Sequence, residues 1–240
     1  MATVIKSIGS GKDYSTIAAW IVSLSDGTYS SGDDVIGELY DSSYDESFNI
    51  GDAPFSTGAL NSVTLRANSA YKHDGTPDSG VKIIYSGSVS DSDAPYKVSY
   101  NSSTYGEYKV KIEDIEFADF NHSADVHVYG FLLSEKTTIM SRCLVNNFRS
   151  NGSSTKRFRV FRQGKPRIQN CMIFNCGKTW GTGGVSANVQ VFNLDNSTAA
   201  KVYNSTIYNI FDSSTNTVWG AFYGEYINTI IVDAGICFRL

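Results

Sequence analysis

Residues 9–16, GSGKDYST, gather the Gly, Lys, Ser and Thr side chains from which phosphate cradles are built. A nucleotide loop of that kind needs a further Gly, separated from the Gly-Lys pair by four residues, and a Ser or Thr directly after the Lys. Lys6 stands at the first of those positions and Asp13 at the second. A carboxylate aimed at a phosphate repels it, so the stretch reads as structure. A second candidate is the pair Asp114 and Glu116 in DIEF. On one extended strand such alternate side chains point the same way, about 6.5–7 Å apart, near the gap an inverting glycosidase leaves between its two carboxyl groups. Both are candidate catalytic residues, set against a plain cross-coil ion pair between Asp114 and Arg142. His122 and His127, with Asp119 and Asp125, offer metal-ligand types without a ligand spacing, and read as a polar loop. Cys143, Cys171, Cys176 and Cys237 contain no C-x-x-C pair and read as buried thiols. No metal and no cofactor is expected.

Charge supplies a third candidate. Residues 1–134 hold 8 Lys or Arg against 19 acids, net −11, and residues 135–240 hold 12 against 5, net +7, which together give the −4 of the chain. From Lys136 to Arg167 nine bases meet no acid. Arg142, Arg149, Arg157, Arg159, Arg162 and Arg167 are therefore candidate contacts for an anionic partner, an acidic protein surface or an acidic polysaccharide. Nucleic acid is disfavoured by the negative total and by the lack of a nucleic-acid-binding signature.

The elements that must position these residues follow from an internal repeat. DIEFADF (114–120), RCLVNNF (142–148), NCMIFNC (170–176), NSTIYNI (204–210) and NTIIVDA (228–234) begin 28, 28, 34 and 24 residues apart. Their second and fourth columns (Ile115, Cys143, Cys171, Ser205, Thr229; Phe117, Val145, Ile173, Ile207, Ile231) share one face of a strand and point inward. The sixth column, Asp119, Asn147, Asn175, Asn209 and Asp233, suits a tight left-handed bend whose amides can bond along the stack. A second strand, aligned on Tyr129, Phe161, Phe192 and Phe222, recurs between these segments. Two strands and an Asx bend per turn describe a parallel β-helix. Room exists for about seven or eight coils, a rod of roughly 35 Å.

After the Gly-Ser-Gly turn, Ile17, Trp20, Ile21 and Leu24 fall at helical spacing, with Asp13 or Ser15 as N-cap. Such a helix covers the open end of a solenoid. One domain is expected over 1–240: a cap segment (1–24), irregular early coils (34–110) and regular coils (110–240). In the outward columns Leu144, Met172 and Ile230 form an apolar ribbon, a candidate oligomer contact with a trimer favoured, unless long loops fold back over it. The segment IIVDAGICFRL leaves the last coil to be covered by a partner, by another copy, or by residues 236–240 themselves. No apolar run reaches membrane-spanning length, and MATVIKSIGSG lacks the apolar core of a secretory signal peptide.

IGSGKDYSTIAAW, followed by Asx-rich coils, resembles the opening of pectin-lyase-like right-handed β-helix proteins, particularly those of bacteriophages and phage-related sequences. The resemblance implies an all-β, single-stranded right-handed parallel β-helix with an N-terminal amphipathic capping helix. That superfamily includes pectate lyases, polygalacturonases, phage tailspikes and non-enzymatic virion or adhesive proteins, so the fold does not select the function. The expectation is a non-catalytic structural or binding component of a virion (capsid decoration, fibre or spike), located in the virion or outside the cell. The competing expectation is a polysaccharide lyase or glycoside hydrolase acting on an acidic polysaccharide through Asp114 and Glu116.

Overall fold

The computed structural model describes residues 1–122, 127–133, 138–150, 158–162, 164–178, 189–193, 201–212, 218–222, 225–232 and 236–239. Its strands stack into three sheets in which every pairing is parallel. The first sheet runs Thr3–Ile8, Asp34–Leu39, Ser62–Ala67, Val110–Glu113, Thr138–Ser141, Arg167–Gln169, Lys201–Tyr203 and Glu225–Ile227. The second holds Ser43–Asp45, Lys82–Ile84, Glu116–Ala118, Leu144–Asn146, Met172–Lys178, Thr206–Asp212 and Ile230–Val232, extended by Asn121–His122 and Arg149–Ser150. The third holds Phe48–Ile50, Tyr96–Val98, Val128–Leu133, Phe158–Arg162, Val189–Asn193, Val218–Phe222 and Ile236–Arg239. Among the described residues, seven three-strand coils thus follow the lone strand Thr3–Ile8. The chain is a parallel β-helix with three strands per coil, where the repeat alone suggests two.

The third strand comes from a second set of bends. Asp119, Asn147, Asn175 and Asn209 are left-handed, with φ of 56°, 54°, 52° and 50°, in line with the Asx column. Asp233 lies outside the described residues. Asp114, Arg142, Asn170, Asn204 and Asn228 are left-handed as well, with φ between 46° and 60°. Each therefore turns the chain from the first sheet into the second, and none belongs to a strand. Asn and Asp tolerate this conformation because the short side chain bonds locally. The amides bond along the stack: Asn147 Nδ2 donates to Asp119 Oδ1 (3.1 Å) and Asn228 Nδ2 to Asn204 Oδ1 (3.2 Å).

Inside, one row runs without a break through Tyr44, Ile83, Phe117, Val145, Ile173, Ile207 and Ile231. A parallel aromatic row lines the third sheet: Phe48, Tyr96, Phe131, Phe161 and Phe192, with ring centroids 4.8–5.4 Å apart. Alignment on Tyr129 misplaces this row by two positions, because Tyr129 pairs with Arg159 and Phe131 with Phe161. Pairing skips Gly130 and Val160, and that local irregularity puts two inward side chains on either side of the glycine. Between the first two sheets, Cys143, Cys171, Ser205 and Thr229 each turn a thiol or hydroxyl onto backbone carbonyls beside the bend.

Helix Ile17–Ser23 closes the N-terminal end. Its cap is Thr16, whose Oγ1 accepts from Ala19 N at 3.0 Å, and neither Asp13 nor Ser15 fills that place. The first-turn N–H groups of Ile17 and Ala18 donate to the Glu46 carboxylate of the first full coil (3.2 and 3.1 Å), which ties helix to coil. Trp20 lies fully buried over Gly37, where an added Cβ would stand 2.7 Å from the indole. The phosphate-like turn is closed from within. Asp41 accepts from Ser10 N (2.9 Å) and Asp13 accepts from Ser7 N (2.8 Å), so protein carboxylates occupy the donors a phosphate would need.

Outside, carboxylates bond from coil to coil. Asp34 accepts from Asn61 and Ser62, Glu38 from Arg66 and Asn68, and Asp45 from Ser86. Hydrogen bonds from Ser62 and Asn61 hold the Asp34 carboxyl below the ordinary carboxylate range, and Ser86 does the same for Asp45. A carboxyl whose folded pKa is depressed contributes stability that is present above the unfolded value and lost as pH falls through the folded one. Burial pushes the Tyr100 phenol up to about 12, a contribution present below its unfolded value and lost as pH rises. Urea unfolding midpoints measured against pH should therefore be level from about pH 5 to about 9 and fall on both sides. A midpoint still level at pH 3 would contradict the assignment.

Candidate functional site

The two candidate carboxylates do not form a pair. Asp114 sits on a bend and faces Arg142 on the next coil, whose Nε and Nη2 donate to its two oxygens at 2.7 and 2.9 Å. This two-pronged geometry fixes both side chains. Glu113 adds a second carboxylate 3.5 Å from the same guanidinium. Glu116 opens the next strand and is only 1% exposed. Its Oε2 accepts from Asp78 N (2.7 Å) and its Oε1 from Asn146 Nδ2 (2.6 Å). Asp114 is thus held by an ion pair and Glu116 is covered, so the two do not face one open surface together.

Residues 68–81 make the seal. They fold back over the outer face of the second sheet as a strap, with His73 Nε2 hydrogen-bonded to Arg142 O (2.7 Å) and Lys82 Nζ bonded to Asp78 at 2.6 Å and to Asp119 at 3.3 Å. The covering explains why Leu144 is 2% exposed although it points away from the interior. Leu144 therefore leaves the apolar ribbon, while Met172 is half-buried and Ile230 is 59% exposed. Val232 and Ile227 extend the exposed part along the last coil. No spacing within residues 68–81 announces the strap; the signal that could have found it is Leu144 itself, apolar in an outward column.

The arginines do not converge either. Arg142 belongs to a bend, Arg149 is exposed on the extension of the second sheet, Arg159 and Arg162 lie on the third sheet and Arg167 on the first. Arg157 lies outside the described residues. Arg159 is buried, with Nε donating to Gln190 Oε1 at 2.8 Å, and the Arg162 guanidinium rests 4.4 Å from the Tyr129 ring centre. The expected basic flank is thus a girdle around the rod. The physical reason is that one coil visits all three faces, so neighbours in sequence need not share a surface. Cys143, Cys171 and Cys176 are buried free thiols, and burial pushes Cys143 and Cys176 up, the latter to about 12. Among the described residues no three His, Cys, Asp or Glu side chains gather as a metal site; His122 is buried beneath a hydrogen bond to Val89 O, and Asp125 lies outside the described residues.

Ile236–Arg239 continues as the third strand of the last coil, pairing with Val218–Phe222, and does not fold across the end. No helix among the described residues is long and apolar enough to cross a membrane.

The fold is a parallel β-helix. Two solved structures of similar shape are forms of the pectin methylesterase from Aspergillus niger, one penultimately deglycosylated and one deglycosylated. They are 15% and 16% identical to this chain, with a TM-score of 0.40, over 95% of this chain and 85% of theirs. Likeness at that level carries no inference about this chain. Comparison with protein-family models gives no match, and comparison with curated proteins gives none.

Proposed function

We propose that this chain is a non-catalytic structural or binding β-helix, a component of a bacteriophage particle such as a capsid decoration, fibre or spike element, that works outside the cell. The observation that carries the reading is the fate of the carboxylates on the outward side of the coils. Asp34, Glu38, Asp45, Glu113, Asp114, Glu116 and Asp119 each bond to a neighbouring coil or to the strap. They tie coil to coil, as a stiff rod requires, and are not left free to act on a substrate. The phage setting is supported by the resemblance of residues 8–20, and self-association by the apolar side chains Ile227, Ile230 and Val232 exposed on the last coil. A second copy of the chain, in a trimer, and other particle proteins are the partners this reading calls for.

Prolonged incubation with acidic polysaccharides should release neither new reducing ends nor unsaturated products, and sedimentation should show a species larger than the monomer. Product formation that disappears in Glu116→Gln would establish the competing lyase or hydrolase reading. A strictly monomeric chain at high concentration would remove the assembly role.

A further inference from the structure

We propose that Cys143 and Cys171 form a site of reversible oxidation, where the two thiols close into a disulfide that ties one coil covalently to the next. The register brings them together. Ser141 pairs with Gln169 and Leu144 with Met172, so Cys143 stands level with Cys171 on the neighbouring coil. Met172 N donates to Cys143 O at 3.0 Å, which keeps the two backbones one coil spacing apart. That spacing, about 4.8 Å, falls within the span of about 4.4–6.8 Å between Cα atoms that a disulfide bridges.

Both side chains turn into the same inner corner, between the first and second sheets. Cys143 Sγ lies against Ile112 O (3.6 Å) and Ser141 O (3.4 Å), and Cys171 Sγ against Met140 O (3.7 Å) and Gln169 O (3.3 Å). Ile112 pairs with Met140 and Ser141 with Gln169, so each acceptor of the second thiol is the acceptor of the first moved on by one coil. The sulfurs therefore stack along the rod axis. On closing, each thiol gives up only weak S–H···O contacts. Cys176 lacks such a neighbour: it is level with Ile210 on the next coil and, one residue before the Arg149–Gly177 pair, with Phe148 on the previous one.

The two thiols are not equivalent. Burial pushes Cys143 up. Burial opposes ionisation of Cys171 as well, yet hydrogen bonds from Cys143 and Gln169 and the nearby Arg142 charge outweigh it and hold Cys171 below the ordinary thiol value. Cys171 is also 3% exposed, against 0% for Cys143. A peroxide, small enough to enter, therefore oxidises Cys171 first. Its thiolate attacks one peroxide oxygen, the O–O bond breaks, and a sulfenic acid and a hydroxide form; the hydroxide takes up the proton that Cys171 lost. The Cys143 sulfur then attacks the sulfenic sulfur, the S–S bond forms, the S–O bond breaks, and the leaving hydroxide departs as water with the Cys143 proton. Two thiols lose two electrons, and one peroxide gains them to give two waters.

The link closes a loop between residues 28 apart and restricts the unfolded chain. Thiols stay reduced inside most cells and oxidise outside them, so a rod that leaves a cell gains this tie. The site does not depend on whether the rod binds or cleaves anything.

The full chain, one sample folded and one refolding from urea, is exposed to dilute hydrogen peroxide, denatured, alkylated and mapped by fragmentation mass spectrometry. Cys143 and Cys171 should be joined, with Cys176 alkylated. The melting temperature should rise by about 5–10 °C and fall back in dithiothreitol. Cys171→Ser and Cys143→Ser should each abolish the link and the shift, and Ser205 shows that this column accommodates a serine. Cys176→Ser should keep both. A pair still reduced in both samples, a link through Cys176 in its place, or an oxidised chain that melts no higher than the reduced one would overturn the site. A link in the refolding sample alone would uphold the pair and assign its closure to the time before the corner packs.

Discussion

Phe131→Ala should lower the unfolding free energy by about 3–5 kcal/mol and break the cooperativity of the rod. The Phe131 ring is fully buried and stacks on Phe161 at 4.8 Å and on Phe148 at 5.7 Å, with Tyr96 at 5.2 Å and Phe117 at 4.9 Å tilted against it. Removing it opens a void at the third of the five rings of the aromatic row, between Tyr96 and Phe161, and the parallel backbones on either side hold that void open. In a solenoid each coil touches only its neighbours, so a weakened junction in the middle lets the two halves unfold separately. Urea unfolding of the variant, followed by tryptophan fluorescence and by far-ultraviolet circular dichroism, should give two transitions that do not coincide. A single coincident transition with a loss below about 1 kcal/mol would show that the row does not carry the rod. Gly130 makes the same contact from the other side: a Cβ there would meet the Phe148 ring at 2.5 Å and Val160 O at 2.9 Å, so Gly130→Ala must displace one of them.

Trp20→Ala should cost about 3–5 kcal/mol as well, and its consequence differs in kind. Trp20, Ile17 and Leu24 are buried against the first coil, and Gly37 leaves the space into which the indole fits. Without the indole, the helix loses its hold and the interior rows of the first coil meet water, together with the strand edges at that end. The variant should therefore melt at lower temperature and form concentration-dependent, dye-binding aggregates on gentle warming. Gly37→Val, which crowds the same space from the strand side, should reproduce the effect. Unchanged melting and solubility in both would mean that the helix rides on the end of the rod without sealing it.

The interior rows were legible in the sequence because a position that faces a dry interior accepts few residue types. Phe117, Val145, Ile173, Ile207 and Ile231 repeat that constraint coil after coil, and the structure places them in register. The second bend column was present too, as Asp114, Asn170, Asn204 and Asn228, but Arg142 interrupts it with a residue that has no local bonding habit of its own. Its bend is held instead by the ion pair to Asp114. The aromatic row was placed two positions off because Tyr129 and Phe131, both aromatic, flank Gly130, and only the pairing shows that Phe131 is the one level with Phe161. The site was less legible for a different reason. Whether Glu116 faces water depends on residues 68–81, which lie far away in the chain and show no periodicity, and the scatter of the arginines depends on the path of the coil around three faces.

The register of the bends has a bearing on how such a molecule changes over generations. From Asp114 to Arg142 to Asn170, successive coils come back to the same corner of the rod with the same backbone torsion. Duplicating or deleting one whole turn would lengthen or shorten the protein by about 4.8 Å and, away from the junction, leave exterior residues over their old neighbours. Reach could therefore be tuned separately from what the surface recognises, much as a ladder gains a step without moving its rails.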